Sequence, residues 1–150
     1  MPESDSRSAP LDPSEDRLRL AAALRRDRED LGRALSERLR PCWRAADHLV
    51  EGPAEIVAAE CARLPVVLAA CVEMADPRLL EDSLDWLARF LTARGYAPGP
   101  ILRALLDACA EATRPLGPPA ALAEALTPLL GAAWAALPDA APAPQAADAR

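Results

Sequence analysis

The chain has no lysine and very few aromatic side chains, and each shortage narrows what the protein can be. Aromatic residues are 3% of its 150 residues, and the residue types that favour pleated sheets are scarce. Alanine and leucine carry most of a hydrophobic content of 51%, and both are strong helix formers. The composition therefore predicts an all-α fold, and the length suits one domain with a substantial core.

The absence of lysine leaves arginine as the whole basic complement, 17 residues against 23 acidic ones, for a net charge of −6. A net acidic chain repels nucleic acid and anionic membranes unless its arginines gather on one face. Outside the first helix the sequence has no such grouping. We therefore expect no nucleic-acid partner and no membrane partner.

The amino terminus lacks the apolar segment of a signal peptide, and the chain has no apolar run of the roughly 18 residues that a membrane span requires. Its four cysteines are far apart and form no C-x-x-C pair: Cys42, Cys61, Cys71 and Cys109. These features favour a cytoplasmic protein with reduced thiols.

Histidine is nearly absent too, and this shortage bears on catalysis. His48 is the single histidine, whereas zinc needs three or four nitrogen or sulfur ligands brought together. A nucleophile activated by histidine would need the same residue, and Cys42, its nearest cysteine, has no recognisable signature around it. We expect no haem, no metal and no enzymatic activity. An enzyme using Cys61 or Cys42 is the least favoured interpretation.

The pattern of the chain divides it into three parts. Residues 1–13 and 138–150 are rich in Pro, Ala, Ser and Asp without apolar periodicity, which is typical of disordered tails. Residues 14–137 show helical periodicity throughout and form the predicted domain, a bundle of five helices, or six if Pro65 divides one.

Capping and breaking residues predict where each helix begins and ends. The first helix starts at a Ser14 cap and stops at Pro41, and residues 42–53 form an irregular link. The second covers about 54–75 and is the most central, since it is apolar on most sides. The remaining signals are Asp76-Pro77 and Arg94-Gly95 around the third helix, Pro98-Gly99-Pro100 before the fourth, and residues 115–119 before the last.

Two aromatic residues in the third helix are candidates for a binding surface. Trp86 and Phe90 are four residues apart and could line a groove, although packing beside the leucines of the same helix is the alternative. The acidic residues Glu81, Asp82 and Asp85 favour a solvated face over a catalytic acid and base, because the first turns of a helix stabilise negative charge.

Three segments carry a resemblance to a known family. They are Cys61-Ala62-Arg63, the acidic turn at residues 75–82, and the stretch from Leu87 through Gly95 to Pro98. Together they resemble the chromophore helix, the following turn and the next helix of the phycobiliprotein branch of the globin-like superfamily. The resemblance covers about a third of the chain.

This resemblance implies a globin-like bundle that binds a linear tetrapyrrole. Cys61 would be the contact position, and Arg63 would pair with a propionate, since a guanidinium matches a carboxylate in two parallel bonds. The family's pyrrole-binding aspartate falls at Leu64, and Pro65 interrupts the helix. The binding implied is therefore non-covalent, to a bilin such as biliverdin, with Trp86 and Phe90 as apolar walls.

The same helical outline also resembles the non-haem globin domains of bacterial stressosome sensors. That resemblance implies a cofactor-free sensor or interaction module that pairs with itself, as a homodimer, or with a regulatory protein through a helical face. The sequence thus leaves two functions open: a non-enzymatic bilin-binding protein, and an interaction module without a cofactor.

Overall fold

A computed structural model describes residues 13–44 and 53–137. The described residues form an all-α bundle, as the composition predicts. Its helices follow one another with short connections: α1 (Pro13–Arg26), α2 (Arg28–Arg44), α3 (Pro53–Met74), α4 (Arg78–Ala93), α5 (Pro98–Thr113), a 3-10 turn (Arg114–Leu116), α6 (Pro119–Ala125) and α7 (Thr127–Ala136).

Leucines three and four residues apart share one face of a helix, and these faces meet in one core. In α4 four such leucines are all buried: Leu80, Leu84, Leu87 and Leu91. The apolar residues at the same spacing in α5 are buried with them: Ile101, Leu102, Leu105, Leu106 and Cys109. Helix α3, predicted to be the most central, packs against α1, α2 and α4, while α5 packs against α2, α4 and α7, so the two helices share the centre of the bundle. The buried leucines of α1, α2, α4 and α5 include Leu20, Leu24, Leu31, Leu35, Leu39, Leu80, Leu84, Leu87, Leu91, Leu102 and Leu105.

Two prolines predicted to stop or break a helix do neither. Helix α2 continues past Pro41 to Arg44, so the predicted link at residues 42–53 begins too early. Helix α3 is continuous through Pro65, which is fully buried. A proline inside a helix removes one hydrogen bond of the ladder, and at Pro65 the surrounding packing outweighs that loss.

Helices end instead at two places where the sequence predicts a continuous helix. The predicted first helix is divided into α1 and α2 at Asp27, although the backbone hydrogen bonds Asp27 N–H to Ala23 and Leu31 N–H to Asp27 continue at 3.0 and 2.9 Å. The predicted last helix is divided at Leu126, just before Pro128, whose ring cannot continue the ladder of α6.

The third predicted helix begins one residue later than predicted and ends as predicted. Pro77, and not Asp76, is the N-cap of α4, while the Asp76 carboxylate accepts the backbone N–H of Arg78 at 3.0 Å. Gly95 has a φ of +84°, and Tyr96 N–H donates to the Leu91 carbonyl at 3.0 Å, which is the glycine stop expected after Arg94.

Part of the predicted organisation lies outside the described residues. This applies to residues 1–12 of the first tail, to the second tail, and to His48. Pro13, assigned to the first tail, is the first residue of α1.

Candidate functional site

Helices α2 and α3 approach each other closely beside the predicted Cys61 site. A Cβ on Gly32 would lie 3.0 Å from the Cα of Ala62 and 3.3 Å from the carbonyl oxygen of Cys61. That carbonyl is the one whose usual donor, four residues on, is missing because Pro65 has no N–H. The glycine and the proline therefore act at the same point of the helix pair.

Cys61 is sealed inside this part of the core. Its side chain has no solvent exposure, and it lies near Ser36 of α2 and Cys109 of α5. Burial raises the pKa of the Cys61 thiol to about 11, with a smaller effect of Glu60, while the hydrogen bond with Ser36 acts in the opposite direction. A thiol that stays protonated and enclosed is a poor nucleophile.

The other two buried cysteines share this character. Burial raises the pKa of Cys71 and of Cys109 as well. Cys42 is half-buried, and all four cysteines are free thiols. Their arrangement fits the role of small apolar core residues.

Arg63 lies two residues after Cys61, and on a helix that spacing turns the side chain about 200° away. Its side chain is 54% exposed and contacts Glu60 of its own helix, with Nη2 3.0 Å from the Glu60 carboxylate. The same Nη2 is 3.3 Å from Ser83 Oγ on α4. Arg63 therefore bridges the outer edges of α3 and α4, while Cys61 faces the opposite side of α3.

Trp86 and Phe90 stack on each other at the surface of α4. Their ring centroids are 5.5 Å apart with an interplanar angle of 14°, and the Arg94 guanidinium lies 4.2 Å from the centre of the Phe90 ring. Phe90 is half-buried against the core, whereas Trp86 is 48% exposed.

Leu79 and Ser83 extend this ring pair into a continuous strip. Steps of four, three and four residues place Leu79, Ser83, Trp86 and Phe90 on one flank of α4, beside the buried leucines. Leu79 is also exposed. We call these four residues the α4 aromatic face; the helical spacing could have identified Leu79 and Ser83 from the sequence.

The structure thus brings together three of the four predicted site residues. Arg63 touches the α4 aromatic face through Ser83, and Trp86 and Phe90 form part of it. Cys61 does not share that surface. The cleft that runs along α2 and α3 next to Gly32, with a volume of about 470 Å³, contains none of the four.

The acidic residues of α4 occupy its solvated sides, as expected. Asp82 and Asp85 are exposed and Glu81 is half-buried. Within the described residues, no group of three or more His, Cys, Asp and Glu side chains is arranged to hold a metal ion. None of the helices there combines the length and apolarity needed to cross a bilayer.

Comparison of the chain with known proteins finds no relative. No family description, no curated protein and no solved structure matches the chain. The residues of the site are therefore the basis for the function proposed below.

Proposed function

We propose that this protein is a non-enzymatic interaction module that binds a partner helix through the α4 aromatic face. The observation that carries this proposal is Trp86, a tryptophan 48% exposed and stacked on Phe90 in a chain with very few aromatic residues. Tryptophan is enriched among the residues that dominate binding energy at protein interfaces.

The surroundings of Trp86 support the same function. Leu79 lies on the same flank and is 43% exposed, and α3, which packs against α4, has two further exposed apolar residues, Val66 and Met74. Isolated exposed apolar residues are ordinary, whereas neighbouring ones with a charged border are typical of association surfaces.

Site-specific photo-crosslinking tests this proposal. Replacing Trp86 with p-benzoylphenylalanine should give a cross-link to a polypeptide in cells that make the protein. Trp134 of α7 is the matched control, because it is a tryptophan of similar exposure, 41%, whose ring contacts the Arg103 guanidinium of α5. Cross-linking at both positions alike, or at neither, would contradict the proposal.

A linear tetrapyrrole is the second candidate, supported by the position of Arg63 beside the ring pair. The exposed guanidinium could pair with a propionate while Trp86 and Phe90 contact the pyrrole rings. The enclosed Cys61 thiol favours non-covalent binding in this case, in keeping with the implication of the phycobiliprotein resemblance.

Visible absorption of added biliverdin tests the second candidate. Binding should shift and sharpen the ligand band, and Arg63→Ala should weaken binding about tenfold, as expected for one charge-assisted contact. Arg114→Ala is the control, because Arg114 is an exposed arginine in the same kind of i,i+3 ion pair, with Glu111, and this variant should bind as the wild type does. An unchanged spectrum with the wild type would exclude this ligand.

A further inference from the structure

We infer that the partner of the α4 aromatic face is a second copy of this chain, with the two α4 helices packed antiparallel about a two-fold axis close to Trp86. This inference depends on the proposed function, because it names the occupant of the same surface. Three features of α4 carry it: the central position of Trp86, the charges on either side of it, and the length of the helix.

Trp86 lies near the middle of α4, which has 16 residues from Arg78 to Ala93. A two-fold axis beside a residue brings that residue next to its own copy. Two exposed Trp86 side chains would therefore meet at the centre of the contact. Leu79, seven residues before Trp86, would reach Ala93 of the other copy, seven residues after it.

The charges beside Trp86 have opposite signs on its two sides. Asp82 precedes it by four residues and Arg89 follows it by three, and both are exposed. In an antiparallel pair, Arg89 of each copy therefore lies within one residue of the position opposite Asp82 of the other, which its long side chain can span. The surface is complementary to itself, and two equivalent charge pairs form across the axis.

The existing contact of Arg89 is compatible with this arrangement. Its Nη2 is 2.8 Å from the Asp85 carboxylate, one turn earlier in the same helix, and the Arg89 side chain is 80% exposed. A guanidinium has five N–H donors, so Arg89 can keep Asp85 and still donate to a second carboxylate.

The size of the contact predicts its strength. A helix of 16 residues is about 24 Å long, and one helix pair with the adjoining edge of α3 makes an interface at the small end of the specific range. We expect a dissociation constant on the order of micromolar, so that dilution separates the copies.

Sedimentation equilibrium of the purified full chain over a range of concentrations is the first measurement. The mass should rise with concentration to twice the 15.9 kDa of one chain. Trp86→Ser should weaken the association about thirtyfold or more, as for other central interface tryptophans. Trp134→Ser should leave the association unchanged.

Charge reversal then tests the antiparallel register. Asp82→Arg alone puts two arginines opposite each other at both pairs, and Arg89→Asp alone does the same with two aspartates. Each variant by itself should associate about tenfold or more weakly than the wild type. An equimolar mixture of the two should recover association close to that of the wild type, because both pairs are then of opposite charge.

The outcomes separate this inference from the proposed function. A chain that stays monomeric at all concentrations, or a mixture that does not recover, overturns the inference. If residue 86 still cross-links to another polypeptide while the chain is monomeric, the interaction face stands with a different partner. If the chain is monomeric and residue 86 gives no cross-link, both fail.

Discussion

At the scale of single residues, Gly32 allows α2 to approach the backbone of α3 at Cys61 and Ala62. The atoms that limit the approach belong to the backbone of α3, so they cannot rotate away as a flexible side chain would. Interiors are packed too densely to absorb an added methyl group at such a point without moving a helix.

Gly32→Ala should therefore lower the free energy of unfolding by about 1–3 kcal/mol. Gly131→Ala is the matched control, because Gly131 is also helical but has nothing within 4 Å of an added Cβ. That change should raise stability by about 0.5–1 kcal/mol, the usual preference of a helix for alanine. Urea unfolding of both variants measures the two effects, and equal signs would contradict the packing argument.

The Cys61 thiol should make the protein less stable at alkaline pH. Its pKa is raised from an ordinary value of 9.0 to about 11 in the folded chain, so the folded state keeps a proton that the unfolded state loses. The contribution is complete below pH 9.0 and is lost as the pH rises toward 11. The slope is about 1.4 kcal/mol per pH unit for each such thiol.

Urea unfolding between pH 7 and pH 10 checks this dependence. Cys61→Ala should show a shallower loss of stability above pH 9.0 than the wild type. Cys42→Ala should keep the wild-type slope, because Cys42 is half-buried and lies outside this contact. A slope that does not change in Cys61→Ala would refute the assignment.

At the scale of the helices, the end of α3 holds a residue in an unfavourable conformation. Ala75 has a φ of +49°, and the backbone N–H of Asp76 donates to the Cys71 carbonyl at 3.1 Å across that turn. A left-handed residue at this place is usually glycine, because a Cβ costs roughly 1 kcal/mol there.

Ala75→Gly should raise the free energy of unfolding by up to about 1 kcal/mol. Gly95→Ala at the end of α4, where φ is +84°, should lower it by a similar amount. Thermal unfolding of the two variants against the wild type gives the comparison. A loss of stability in Ala75→Gly would show that the flexibility of the unfolded chain outweighs the strain.

The sequence predicted most of the helices but not all of their limits. The leucine spacing and the helix ends near Asp76 and Gly95 depend on residues close together in the chain, so the sequence is enough to predict them. Whether Pro65 breaks α3 depends on the packing of α1 and α2 around it, which no local pattern contains. The division before Pro128 is of the same kind: proline removes a donor from the ladder there too, but Pro41 and Pro65 do so without ending a helix.

The candidate site was predictable to the same degree. Periodicity placed Trp86 and Phe90 together, but it could not tell whether their flank of α4 faces the core or the solvent. Placing Cys61 and Arg63 in one site conflicts with helix geometry, because residues two positions apart point to nearly opposite sides of a helix. The spacing in the printed sequence was enough to separate these two residues.

At the scale of the whole molecule, the three buried thiols lie on two helices of one bundle: Cys61 and Cys71 on α3, and Cys109 on α5. Local opening of a single helix end does not expose all three. Their exposure together therefore reports unfolding of the bundle as a unit.

Thiol labelling with 5,5′-dithiobis(2-nitrobenzoic acid) should proceed in two phases. The half-buried Cys42 reacts first, and the remaining three react together at the rate at which the bundle opens. Cys42→Ala should remove the fast phase only, and urea should accelerate the slow phase. Separate slow phases for the two cysteines of α3 and for Cys109 would indicate that the helices open independently.

The enclosure of these thiols decides where oxidants attack the protein. Peroxide reacts with accessible thiolates, and the pKa of each of the three buried thiols is raised. Of the sulfurs in the described residues, the half-buried Cys42 and Met74, 57% exposed at the end of α3, are then the accessible ones. The sulfoxide of Met74 would place a polar group at the end of α3, so oxidative damage would reach the surface of the molecule before its interior.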